Sequence, residues 1–70
     1  MQQYQRGDRV RLLAFRGEQL ERRVWADLGR GVAICSEERY QEALRTGAEP
    51  NCVGWPREDV LEVIEHNPLT

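Results

Sequence analysis

Pro56 constrains this chain more than any other residue. It stands in Cys52-Val-Gly-Trp-Pro-Arg-Glu-Asp-Val-Leu-Glu-Val63, after a run in which Val53 and Trp55 share one parity and before the apolar run Val60 to Ile64. Proline has no N–H to give to a ladder and fixes its own φ, so a strand that reaches it ends there or lies at a sheet edge. Arg57-Glu58-Asp59 then fits a single short helical turn, and Val60 to Ile64 a closing strand. The stretch reads as strand, proline-marked turn and final strand, with Val53 and Trp55 pointing into a core.

The remaining strands follow from alternation and turn chemistry. Gly7-Asp8 is a turn signal, after which Val10, Leu12 and Ala14 alternate with Arg9 and Arg11. This is a first strand with its arginines facing water. Arg16-Gly17-Glu18 breaks the pattern, and Leu20 to Asp27 resumes it with Leu20, Val24 and Ala26 on one parity. Arg22 falls on that apolar parity, which requires either a bulge that shifts the phase or a side chain reaching out to solvent from the rim. Gly29-Arg30-Gly31 suits a tight hairpin, leading into a third strand, 31–35, with Val32 and Ile34 inward.

Ser36 is placed to cap a helix over about residues 36–46, with Glu37 and Glu38 at its positive end and Gly47 as its left-handed stop. Tyr40, Ala43 and Leu44 lie on one face. So short a helix is marginal unless docked, and Tyr40 and Leu44 are expected to cover one end of the barrel. The fold expected is mainly β, a five-stranded barrel with this one helix inserted between strands 3 and 4. It forms a single domain over residues 1–70, with 1–5 and 66–70 frayed.

Seventy residues allow one small core, because a chain of this length buries only roughly 60% of its unfolded surface. With 40% hydrophobic and 31% charged residues, the composition is that of an ordinary globular domain. No apolar run nears the roughly 20 residues of a membrane span, and Met1 to Arg6 lacks a signal-peptide core. A cytoplasmic location without membrane contact is therefore expected. The net charge of −2 hides an asymmetry: residues 1–35 carry seven arginines against four acids, and residues 36–70 three against eight. All ten basic residues are arginine, whose planar fork suits carboxylate and phosphate.

Pro56-Arg57-Glu58-Asp59-Val60 resembles the proline, three residues and valine that end the SH3 domains, and the strand order expected here is that of an SH3-like barrel. Gly54 lies one place nearer the proline than in that family. Asp59 occupies the place of the tyrosine that lines the family's proline-peptide groove, and no tyrosine-rich motif opens the chain. Arg6-Gly7-Asp8-Arg9-Val10-Arg11-Leu12 is similar to the opening of the KOW-type barrels of ribosomal and transcription factors. It is equally similar to that of small photosynthetic electron-transport accessory subunits, which also end with an acid and a short valine strand, as in Glu58 to Val63. These resemblances imply an SH3-like barrel. The KOW likeness adds a nucleic-acid interface, and the accessory-subunit likeness adds docking to an acidic redox partner.

No catalytic set is legible. Ser36 suits a cap, no glycine-framed serine or phosphate-cradling loop exists, and Glu58, Asp59, Glu62 and Glu65 read as a solvated edge. Zinc wants about four ligands, and Cys35, Cys52 and His66 are too few. If the third and fourth strands pair with Ile34 facing Val53, Cys35 falls opposite Cys52. A non-hydrogen-bonded site there would allow a disulfide, the alternative being two reduced thiols.

Surface contacts are what is left. Trp25 lies opposite Leu20 and Val24 in parity and faces outward with Phe15 and Leu13, unless the phase slips at Arg22 or the helix covers it. The expected function is a non-enzymatic protein-interaction or accessory module, without cofactor or metal, that contacts another protein through Trp25, Phe15, Arg9, Arg11 and Arg23. The alternatives are a KOW-like nucleic-acid binder using the same arginines and an accessory subunit docking an acidic redox partner. The sequence sets no oligomeric state.

Overall fold

The computed structural model describes residues 3–66. Its strands are β1 (Arg9–Leu13), β2 (Gln19–Asp27), β3 (Gly31–Cys35), β4 (Val53–Pro56) and β5 (Val60–Glu65). Helix α1 (Glu37–Thr46) lies between β3 and β4, and a 3-10 turn, Arg57–Asp59, joins β4 to β5. All pairings are antiparallel and the strands form one sheet in the order β4-β3-β2-β1-β5. Strands and helix fall where alternation and capping put them. The sheet is not closed, however, because no ladder joins β4 to β5 among the described residues. Pro56 ends β4 at that open edge, where its missing N–H costs no ladder bond on the outer side.

Alternation carries through to the core. Val10 and Leu12 of β1, Val24 of β2, and Val32 and Ile34 of β3 are buried, and Tyr4, Trp55, Val60 and Val63 pack against them. Burying one such aliphatic side chain stabilises the fold by about 1.5–3 kcal/mol. Arg22 needs no phase shift: the β1–β2 ladder runs evenly from Val10↔Arg22 to Leu12↔Leu20, and the guanidinium turns aside to donate to the Glu21 carbonyl at 2.8 Å. The bulge lies three residues later. Val24 pairs with Ile34 and Ala26 with Ala33, leaving Trp25 as the extra residue on β2.

Two inward expectations are corrected. Leu44 is 53% exposed, because α1 meets the sheet along the narrow stripe of Tyr40 and Ala43 and Leu44 falls on its solvent side. Val53 is 58% exposed although it pairs with Ile34, since β4 is an edge strand and nothing covers it there.

The helix ends are as the sequence implies. The Ser36 hydroxyl accepts from the Arg39 N–H at 3.2 Å, while Gly47, at φ 78°, donates its N–H to the Ala43 carbonyl at 2.8 Å. Of the terminal stretches expected to fray, residues 1, 2 and 67–70 lie outside the described residues. Tyr4 packs on the core and donates its N–H to Asp27 at 2.9 Å.

Candidate functional site

Arg9 and Arg23 are cross-strand neighbours on β1 and β2, and Arg11 follows on the same face of β1, so the three arginines singled out in the sequence do come together. They meet acids there. Arg23 Nε donates to Glu37 Oε1 at 2.6 Å, its Nη1 donates to the Gly7 carbonyl at 2.7 Å, and its Nη2 lies 3.8 Å from Glu65. Arg9 Nη2 is 3.7 Å from Glu37, and Arg11 pairs with Glu62. The Glu37 hydrogen bond raises the Arg23 pKa. Burial pushes Glu37 up, but hydrogen bonds from Arg23 and Gln41 and the charges of Arg23 and Arg9 outweigh it and hold the carboxyl below its ordinary value. The basic strands thus face the acids of α1 and β5.

Trp25 does not join Phe15. Its bulged position turns the ring toward α1, where Tyr40 meets it edge-on at 6.2 Å and 74°. The Arg6 guanidinium sits 4.1 Å above the ring, and Arg6 Nε donates to the Trp25 carbonyl at 2.9 Å. Helix and arginine together leave the ring half-buried.

Phe15 stands at the far end of β2, fully exposed in the turn that joins β1 to β2. Ala14 and Glu18 close that turn by a 2.8 Å hydrogen bond, and Gly17 supplies its left-handed residue at φ 82°. The Phe15 ring partner is Trp55, at 6.1 Å and 52°. Trp55 Nε1 donates to the Leu13 carbonyl at 3.3 Å, which fixes the indole across the end of β1. Between the two rings opens a groove of about 380 Å³ lined by Leu13, Phe15, Val53, Trp55 and Pro56, with Asp59 of the 3-10 turn at its rim. Sequence reasoning assigned both Val53 and Trp55 to the core, where Trp55 alone packs, and missed this groove. The signal for it was Pro56, which marks their strand as an edge.

Two further clusters bear on chemistry. Asp27 accepts hydrogen bonds from the N–H groups of Tyr4 and Gly29, each at 2.9 Å, and from Arg57. Arg57 also donates to the Gly29 carbonyl at 2.7 Å and lies 5.1 Å over the Tyr4 ring. The Arg57 hydrogen bond, with those of Tyr4 and Gly29 against the cost of burial, holds Asp27 at about 2. A carboxylate so engaged holds the backbone at Tyr4 and Gly29 in place. Cys35 and Cys52 are both free thiols and line one cavity. Burial, with Cys52 alongside, pushes Cys35 up to about 11, and burial raises Cys52 as well. Among the described residues no group of three or more histidine, cysteine or acidic side chains is arranged to hold a metal ion.

No family model matches the chain, and no curated protein or solved structure matches it either.

Proposed function

We propose that this chain is a non-enzymatic protein-interaction module that receives an apolar segment of a partner protein, carrying one basic residue, in the groove between Phe15 and Trp55. The observation that carries this reading is the make-up of the groove. Leu13, Phe15, Val53 and Pro56 are exposed beside a half-buried Trp55, Phe15 fully so, and the one charge among the lining residues is the Asp59 carboxylate. Contiguous apolar surface with a polar rim is the composition of recognition sites, and aromatic anchors dominate their energetics. The partner's basic residue is assigned to Asp59 by charge. Arg9, Arg11 and Arg23 support the nucleic-acid and acidic-partner readings less well, since each faces a carboxylate of its own chain. A cytoplasmic setting is supported by the two free thiols and by the lack, among the described residues, of any helix long and apolar enough to cross a membrane.

Selection of a random peptide display library on the intact chain tests the proposal. Enriched peptides should share apolar residues flanking a lysine or arginine and should lose at least ten-fold in affinity to a Phe15→Ala variant, whose fold is unchanged because the side chain is fully exposed. Enriched peptides that bind wild type and Phe15→Ala equally would place the contact elsewhere. Titration of RNA and DNA with salt separates the rival reading, for which binding falls steeply as salt rises.

A further inference from the structure

We propose that Cys35 and Cys52 are an oxidisable cross-strand pair that closes to a disulfide at the expense of a low-molecular-weight disulfide such as oxidised glutathione. Register is the first ground. Val32 pairs with Trp55 and Ile34 with Val53, and the Arg57 N–H donates to the Arg30 carbonyl at 3.3 Å. Hydrogen-bonded and non-hydrogen-bonded pairs alternate along an antiparallel ladder. Pairs 30/57, 32/55 and 34/53 therefore form one class, and 31/56, 33/54 and, one step beyond the ladder, 35/52 form the other. Pro56 has no N–H to exchange with Gly31, so the second class is the non-hydrogen-bonded one. Opposed Cα atoms in such a site are about 4.5 Å apart, within the roughly 4.4–6.8 Å that a disulfide spans.

Placement and access are the second ground. Both cysteines line the same cavity, which places their side chains on one face of the sheet. Cys35 is buried, whereas Cys52 is half-exposed beside Asn51 and Arg39 in a cavity of about 530 Å³. Cys52 is thus the attacking sulfur and Cys35 the resolving one. The Cys52 thiolate attacks a sulfur of oxidised glutathione, its S–S bond breaks, and one glutathione thiolate leaves and takes up a proton. Cys35 then gives its proton to solvent and displaces the second glutathione from Cys52. Two protein thiols are oxidised and one glutathione disulfide is reduced to two thiols. The product closes a loop of 16 residues, 36–51, around α1.

The full chain is incubated in glutathione buffers of graded redox ratio, quenched with acid and weighed intact by mass spectrometry. Expected is the loss of two hydrogens without a stable adduct, with an equilibrium constant on the order of 100-fold larger in native buffer than in concentrated urea, the factor that cross-linking a loop of this length implies. Cys35→Ser should stop at one glutathione on Cys52, and Cys52→Ser should take up none while folded. Should serine at the buried position unfold the chain, Cys35→Ala gives the same readout. A persistent glutathione adduct on the wild type, or an equilibrium constant no larger folded than unfolded, overturns the proposal.

Discussion

Two glycines separated by one strand pairing carry opposite consequences. A Cβ on Gly31 would run into the Trp55 carbonyl oxygen, a backbone atom that cannot swing aside, whereas one on Gly54 would meet nothing within 4 Å. Gly31→Ala is therefore expected to cost about 1–3 kcal/mol in urea unfolding, as overpacking does. Gly54→Ala should be neutral or stabilise by about 0.4–1 kcal/mol through the unfolded chain. Equal effects of the two substitutions would refute the close approach of β4 to Gly31, where β3 leaves the β2–β3 turn. Asp27 fixes that same turn through Gly29 and Arg57. Its folded pKa is about 2 against an ordinary 3.8, so as pH falls through this interval the unfolded chain binds a proton that the folded chain refuses. Stability from Asp27 is complete above about pH 4 and is lost as pH falls through 2. The urea midpoint of wild type should drop more between pH 4 and 2 than that of Asp27→Asn; parallel curves would show that Asp27 plays no such part.

At the scale of elements, α1 is held by few contacts of high value. Tyr40 is buried against Trp25 and Arg23, whose guanidinium lies 5.5 Å over the Tyr40 ring, and Glu37 ties the first turn to β2. Leu44, expected from the apolar stripe to share this load, faces solvent. Tyr40→Ala should cost about 3 kcal/mol or more, in the range of large aromatic truncations, and Leu44→Ala less than about 1 kcal/mol, both read from chemical denaturation. A larger effect at Leu44 would place the helix differently. The β1–β5 ladder skips Ile64 and Leu61 at its two register shifts, and both side chains are exposed. These bulges interrupt a strand edge that would otherwise template pairing with another chain.

For the molecule as a whole, the charge asymmetry along the sequence is internal complementarity. The arginines of β1 and β2 meet the acids of α1 and β5, which come later in the chain and pack beside them. Each exposed pair is worth about 0.2–1 kcal/mol. Arg11→Glu should therefore cost no more than about 1 kcal/mol, and the added Glu62→Arg should restore most of it in a double-mutant cycle; no recovery would deny the pairing. Strand positions, the Ser36 cap and the Gly47 stop were legible because each rests on local chemistry: alternation, a side-chain acceptor, a residue tolerant of positive φ. The exposure of Val53 and Leu44, the cover over Trp25 and the groove beside Phe15 were not. A period of two assigns a residue to a face but does not say whether anything packs on that face at a sheet edge. The bulge at Trp25 and the meeting of Phe15 with Trp55, forty residues apart in the chain, are set by which strands become neighbours. The sequence alone determined the elements and their order. Only the tertiary structure decided which apolar side chains stay in water, because burial is a property of what lies opposite a residue and not of the residue itself.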